Sequence, residues 1–464
     1  MTICFVIAYG GYVAQYNEIY DEARAKRPAY AAFESRVCAS VTQPSASIVN
    51  KLHHKKTVGN AGLYAIPLIL DEAHFREVLV PGLLQRAFSL QELFSDLVCG
   101  SGKIVSDGLL SEEELDHILR SEGTDQRTLR RQWRGQAHDQ IRFVYGPDLI
   151  RDPRGRWVVL EDNVGCVGGV AAGRVVRDIY LQASGFPLHP DCDHGSDLER
   201  ALLAFLHRVS LVPGHDHLYG IPGVQSLNMH AAVDFETSWK ANTLQSLGIS
   251  VTQPDELLNT IAKGRAEPAA IINLSATLSS AYQKLADTVF TDWDIPVFGA
   301  PSVGLIASKS FHALGDALIA LYLNEAALID TPPTQLLREV PATLPKHGVL
   351  KHTNGCGGTE VFFLDAVHDP SALLNSLKAW GPCGAVMQER ISQSVLTPIN
   401  GTIAGAASIE VRPIVYVIGW RTAMVANIVS ARAIPSGSNR HGNISRGAQF
   451  LPVLLEPTPS PTHS

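Results

Sequence analysis

Residues Asp148 to Asn163 read Asp-Leu-Ile-Arg-Asp-Pro-Arg-Gly-Arg-Trp-Val-Val-Leu-Glu-Asp-Asn, and the fold turns on how this stretch pairs. Ile150 and Trp157 to Leu160 are strand formers, Asp152-Pro153 starts a turn, and Gly155 tolerates positive φ. The segment therefore reads as a β-hairpin around a two-residue Arg154-Gly155 loop. That register sets Asp148 opposite Glu161. Strand side chains alternate, so Glu161 and Asn163 share a face with Asp148, while Asp162 points to the other side. Carboxylates beside an amide oxygen suit a hard cation such as Mg²⁺, which takes few protein ligands and completes its shell with water and phosphate oxygens. The alternative is a surface hairpin whose acids are solvated.

The chain has 464 residues with 45% hydrophobic content, enough for two or three domains with cores of their own. A net charge of -7 without a basic block argues against a nucleic-acid partner and for small substrates. Seven scattered cysteines (Cys4, Cys38, Cys99, Cys166, Cys192, Cys356, Cys383) form no C-x-x-C pair and fit a reducing compartment. Ile3 to Ala8 is apolar but too short to cross a bilayer and lacks a basic flank, so a cytoplasmic protein without membrane contact is expected.

Residues 1–145 read as mainly helical. Apolar residues recur at helical spacing from Asp71 to Cys99, with Pro81-Gly82 as a break, and Ser111 with Glu114 forms a capping box before a helix that Gly123 stops. Arg86 is expected as a salt-bridged surface residue. The hairpin segment occupies 146–185. His189, Asp191, Cys192, Asp193 and His194 could be drawn as a zinc site, but Pro187, Pro190 and Gly195 make this a loop; His215-Asp216-His217 is read likewise. Ser196 and Glu199 cap the helix that follows. From Leu218 to Leu305 strands and helices alternate, including a helix over Ser279 to Ala286, which makes 186–305 a parallel α/β layer. Glu236 stands before a helix in that layer, as a dipole partner or a substrate ligand.

In 306–455, Lys351 closes the short strand Gly348 to Lys351 and precedes Asn354-Gly-Cys-Gly-Gly-Thr359 and a second strand, Val361 to Leu364. A loop containing Gly355, Gly357 and Gly358 lets backbone N–H groups approach phosphate oxygens while the lysine supplies charge; a plain hairpin turn is the alternative. No G-x-x-x-x-G-K-[ST] or G-x-G-x-x-G occurs. Ile409 to Val417 reads as one alternating strand, and Arg412 inside it is costly unless paired with a phosphate or an acid. Residues 456–464, rich in proline, read as a disordered tail.

The hairpin resembles the last metal-binding hairpin of ATP-grasp ligases, in which an Asp precedes a turn and a Glu-x-Asn triplet follows it. Roughly 300 residues come after it here, an order similar to the circularly permuted ATP-grasp family, with its Leu-Glu-Asp-Asn segment in the first half. Gly82 to Asp107 is also similar to that family's helical region. The resemblance implies an α/β (α+β) fold with an N-terminal helical region and a central α/β layer. It implies ATP and Mg²⁺ as cofactors, with Asp148, Glu161 and Asn163 as metal ligands and Lys309 and Lys351 at the phosphates. Gln388, Glu389, Arg390 and Ile391 would form a hinge that reads the adenine edge, and Arg412 matches the arginine of a Leu-Arg-Pro-Phe motif. Lys351 and Arg412 would be the catalytic charges. The sequence departs from the family at Val164 to Gly169, where Pro-Ser-Gly is absent; Asn443 to Ala448 matches only partly, and no terminal Gly-Gly-Gly-x-Lys-Asp-Thr-Trp follows Gly447.

The implied activity is an ATP-dependent carboxylate-amine ligase that forms an amide or peptide bond through an acyl-phosphate, acting on small acids and amines such as amino acids or small peptides. No nucleophilic serine, cysteine or histidine is required for it. A phosphotransferase that stops after phosphorylating its acceptor, and a nucleotide-binding regulatory protein without turnover, remain alternatives.

Overall fold

A computed structural model describes residues 16–28, 30, 63–64, 66–165, 167–184, 196–223, 231–265, 267–274, 284–285, 287–288, 295–355, 359–397, 405–435 and 447–456. The 185–195 loop, Gly357, Gly358, Asn443 to Arg446, the tail from Pro457 and most of the helix expected over Ser279 to Ala286 lie outside these residues, as do all the cysteines except Cys99 and Cys383, which are free thiols. The fold mixes helices with sheets, as an α+β protein.

Among the described residues from Glu72 to Gln132, helices dominate. Ser111 and Glu114 form the capping box of Glu112–Ser121, and Gly123 follows at φ 76°. Pro81 and Gly82 do not break their helix. A π-turn, Phe75–Leu79, with the Val80 N–H bonded to Phe75 O, leads directly into Val80–Cys99. The widened turn relieves the clash a proline ring makes with the carbonyl four residues back. Gly82 is instead a contact point, since a Cβ there would collide with Ile329.

The α/β layer is a four-stranded parallel sheet in the order Ser250–Val251, Leu218–Ile221, Ala270–Asn273, Val297–Phe298. Asp197–Arg208 and Ala231–Ser246 run beside it, and Ser196 Oγ accepts from Glu199 N at the start of the first of these. His215 to His217 form the turn into Leu218–Ile221. A separate antiparallel sheet has the order Val361–Phe363, Val349–His352, Ala385–Gln388, Thr334–Leu336. Leu350 on one of its faces packs with Leu373 and Leu377 of the helix Pro370–Trp380. Alternation leaves Lys351 and Gln388 on the opposite face.

The hairpin does not stand alone. Its strands, β1 (Asp148–Arg151) and β2 (Trp157–Glu161), join β3 (Ala407–Arg412), β4 (Ser430–Pro435) and β5 (Gln449–Phe450) in an antiparallel sheet ordered β5-β4-β3-β1-β2. The expected single strand Ile409 to Val417 is two. Pro413 supplies no N–H, the ladder stops at Arg412, and Val415–Gly419 pairs in another sheet with Phe143–Tyr145 and Thr422–Val425. Leu68–Asp71 pairs in parallel with Val453–Glu456. Early and late segments of the chain are thus woven into common sheets. Among the described residues, no helix is long and apolar enough to cross a membrane.

Candidate functional site

The hairpin loop is one residue longer than expected. Asp152 N bonds Arg156 O at 2.9 Å, so Pro153, Arg154 and Gly155 form the loop, with Gly155 at φ 79°. Asp152 Oδ1 accepts from the Arg154 and Arg156 amides and holds the turn together. The body of the hairpin consequently pairs Leu149 with Val159 and Ile150 with Val158, one step from the expected register, yet Asp148 still pairs with Glu161. A β-bulge at Leu160 makes up the difference. Strict alternation from the buried Val159 would have sent Glu161 into the core; the bulge turns Glu161 and Asn163 outward and Asp162 inward.

Strand pairing then aligns charged side chains in two rows. In the first, Glu161 is opposite Asp148, Asp148 lies against Arg412, and Arg412 is opposite Ser430. Arg412 clasps Asp148 bidentately, Nε to Oδ1 at 2.8 Å and Nη2 to Oδ2 at 2.7 Å. The second row carries Ile150, then Glu410 opposite Arg432, whose Nη1 donates to Glu410 Oε1 at 2.7 Å. Arg432 Nη2 also lies 3.8 Å from Asp148. Asn163 Nδ2 donates to Gly146 O at 3.1 Å and approaches Asp148 Oδ2 at 3.4 Å.

Two lysines close over this floor. Lys309, buried at the start of the short helix Lys309–His312, places Nζ 3.0 Å from Glu161 Oε1 and donates also to Gly355 O. Lys351 is buried on the neighbouring sheet and donates to Leu160 O at 3.0 Å, the carbonyl of the bulged residue. A bulge leaves such a group outside the regular ladder, free for another partner.

The electrostatics follow from burial. Burial alone would push the Asp148 carboxyl up, but the Arg412 and Arg432 guanidiniums hold it below its usual value. Glu410, buried and close to the Asp148 charge, is pushed up to about 7. Burial lowers the Lys351 ammonium, with the nearby Lys309 adding to the effect and Glu161 opposing it.

The expected hinge residues divide. Gln388 is buried, with its amide turned inward to Thr334 Oγ1 at 3.1 Å and His312 Nε2 at 3.3 Å. Glu389 is exposed, and its backbone N–H is taken by Pro333 O. Arg390 is paired with Asp365 at 2.7 Å and lies over the Phe363 ring. Ile391 is half-buried. Gly355 sits beside Lys309 through its carbonyl.

Arg86 is not a surface residue. It is almost wholly buried and chelates Asp162, Nε to Oδ1 at 2.8 Å and Nη2 to Oδ2 at 2.9 Å, directly behind the charged rows. A lone buried guanidinium is costly, and the inward-turned Asp162 is what makes its burial tolerable. Glu236 does not start a helix; it lies within Ala231–Ser246 and caps another, accepting from the amides of Gly169, Ala171 and Ala172 at 3.0 to 3.1 Å. It thereby takes the anion position at the N-terminus of Val170–Ser184.

Sequence reasoning missed Glu410, Arg432, Asp162 and His312. Glu410 was legible: two residues before Arg412 in an alternating strand, it must share the arginine's face. Arg432 and His312 become neighbours of the hairpin only through long-range pairing.

Among the described residues, no three His, Cys, Asp or Glu side chains converge as metal ligands. The oxygens of Asp148, Glu161 and Asn163 nevertheless suit Mg²⁺. A carboxylate offers about four lone-pair directions across its oxygens, so Asp148 and Glu161 can keep their cationic partners and still coordinate.

Residues 67–187 match the family described as circularly permuted ATP-grasp type 2. The chain is similar to an uncharacterized protein of Synechocystis sp., 26% identical over 298 residues that cover 58% of this chain and 57% of the relative. It is also similar to a Frankia alni protein named "Putative glutamate--cysteine ligase 2-3", 24% identical over 387 residues covering 75% of this chain and 43% of the relative. The chain thus spans about half the length of these curated relatives. In fold it is similar to a glutathione synthetase-like effector from Globodera pallida in its apo form, with a TM-score of 0.52 and 12% identity, covering 89% of this chain and 98% of that one. The hairpin, its helical approach and the helix after it therefore belong to the circularly permuted ATP-grasp type 2 family.

Proposed function

We propose that this protein is an ATP-dependent ligase that joins a carboxylate to an amine through an acyl-phosphate, releasing ADP and phosphate. The observation that carries the reading is the convergence of Asp148, Glu161 and Asn163 with Lys309, Lys351 and Arg412 on one face of the permuted hairpin sheet. Phosphoryl transfer asks little covalent chemistry of a protein; it needs charge at the transferring group and groups held in line. Mg²⁺ held by Asp148, Glu161 and Asn163 would neutralise charge at the β- and γ-phosphates.

The remaining work falls to the chain's own side chains. Lys309 and Lys351 bring ammonium groups to the end of the site nearest Glu161 and Leu160. Arg412, fixed by both oxygens of Asp148, keeps Nη1 near Gly168 O at 3.2 Å, on the side where an acid group would approach. A guanidinium fixed in this way stabilises developing phosphoryl charge without reorganising. Gln388 to Ile391 are proposed as the adenine edge through their backbone, because the Gln388 side chain is committed inward. An amino acid or small peptide is the proposed substrate class, supported by the name of the Frankia relative.

A nucleotide-binding protein without turnover is favoured by one observation: Asp148 and Glu161 already have cationic partners of their own. Product analysis decides between the readings. Across a panel of acid and amine pairs, a ligase yields ADP and inorganic phosphate in equal amounts, with ¹⁸O from the carboxylate recovered in phosphate. AMP with pyrophosphate would overturn the acyl-phosphate mechanism, and ATP binding without turnover on any pair would favour the second reading.

A further inference from the structure

Behind the charged rows lies a buried chain of hydrogen bonds that the proposed chemistry does not use. Asp162 accepts from both Arg86 nitrogens, from Tyr145 OH at 2.8 Å, and lies 2.8 Å from His312 Nδ1. His312 Nε2 lies 3.3 Å from Gln388 Nε2, whose two hydrogens are shared among that nitrogen, Thr334 Oγ1 at 3.1 Å and, at 3.4 Å, Leu160 O, the carbonyl that holds Lys351. All four side chains, Asp162, His312, Gln388 and Lys351, are buried.

The partners fix the histidine. A carboxylate as well supplied with donors as Asp162 can only accept, so His312 Nδ1 carries the hydrogen; an amide nitrogen can only donate, so Nε2 must accept. Arg86 Nη2 also lies 3.4 Å from Nδ1, but it is committed to Asp162 Oδ2 at 2.9 Å. The imidazole is thus a rigid spacer with one hydrogen in one place. It spans three segments distant in sequence: the hairpin triplet, the helix Lys309–His312 that begins with Lys309, and the strand Ala385–Gln388 that pairs with the Lys351 strand.

We propose that His312 is a positioning residue for the phosphate end of the site: through its single tautomer it sets Gln388, and with Gln388 the Leu160 carbonyl against which Lys351 is held. The inference rests on the ligase reading for the purpose of this positioning, but the positioning itself can be read without turnover. Outer partners of this kind often matter nearly as much as the groups they orient.

In the wild-type chain, ¹⁵N NMR of His312 at neutral pH should show a neutral Nδ1–H tautomer, in keeping with its burial and with Asp162, Arg86 and Lys351 as its charged neighbours. His312→Asn keeps a donor toward Asp162 and loses the acceptor toward Gln388; Gln388→Met keeps the volume and loses the amide. In either variant, once a cooperative melt shows that it folds, Lys351 should react about tenfold faster with an amine-acylating reagent, read by mass spectrometry, and MgATP affinity should fall about tenfold. An Nε2–H tautomer in the wild type, or unchanged Lys351 reactivity in a folded variant, would overturn the proposal. Faster Lys351 acylation in a chain that binds no MgATP would leave the positioning intact and remove the ligase reading instead.

Discussion

Asp148 and Glu161 face each other across the hairpin but differ in what depends on them. Glu161 is a quarter exposed and bonded to one lysine, whereas Asp148 is buried between two arginines. Glu161→Gln should therefore leave the melting temperature nearly unchanged and reduce Mg²⁺-dependent ADP release at least about a hundredfold, the scale of removing one fixed charge partner. Near-normal ADP release by the folded variant would sink the metal assignment. Asp148→Asn should lose the same activity and also about 3–5 kcal/mol of stability, because the buried Arg412 is left without its carboxylate; urea unfolding measures this. Glu410 adds a pH signature. Its folded pKa, about 7, lies above the ordinary value of 4.5, so the stability it contributes is fully present below about 4.5 and is lost as pH rises through about 7. The stability difference between wild type and Glu410→Gln should accordingly drift across that window and be flat above it. Parallel curves would mean that Glu410 titrates normally. The sequence exposed Asp148, Glu161, Asn163, Lys309, Lys351 and Arg412 as residues of suitable type, because each sits where alternation or a loop edge displays it. It hid the counter-charges, since which cation meets which carboxylate is decided by pairing across hundreds of residues.

At the scale of elements, periodicity was a good guide and local exceptions were not. The capped helices and the alternating α/β layer are legible because each repeats one pattern over many residues. The π-turn before Pro81, the three-residue hairpin loop, the bulge at Leu160 and the stop at Pro413 each hinge on a single residue's backbone bonds, which no period reveals. The bulge and the loop make opposite predictions for a change of length. One residue inserted between Pro153 and Arg154 lengthens a surface loop and should cost about 1 kcal/mol or less. Deletion of Leu160 should restore a regular ladder with Glu161 still opposite Asp148, but it removes the carbonyl against which Lys351 is held. Thermal melts with Lys351 acylation, read by mass spectrometry, test this: both variants should melt cooperatively, and only the deletion should make Lys351 more reactive. Unchanged Lys351 reactivity in the deletion variant would show that the bulged carbonyl does not hold the lysine.

For the whole molecule, the decisive fact is that β1 pairs with β3, Leu149 opposite Val411, so the hairpin completes a sheet built from the other end of the chain. In the segment 306–455 expressed alone, Val395–Leu396 would still cover Ala407 and Ser408, but the rest of that β3 edge, to Arg412, would lose the hairpin and stand open, a surface that invites aggregation. It should be recovered as insoluble protein, and co-expression with residues 66–184 should return it to the soluble fraction; a well-behaved isolated 306–455 would contradict the shared-sheet account. The same pairing has a consequence in time. Asp148 and Arg412 are 264 residues apart. At about 5–20 residues per second, a ribosome needs roughly 13 to 53 seconds to reach the arginine after making the aspartate. Throughout that interval the nascent hairpin holds an open edge and unmatched carboxylates, and the order of synthesis makes the chain's own late arrival of β3 the step at which the site can first exist.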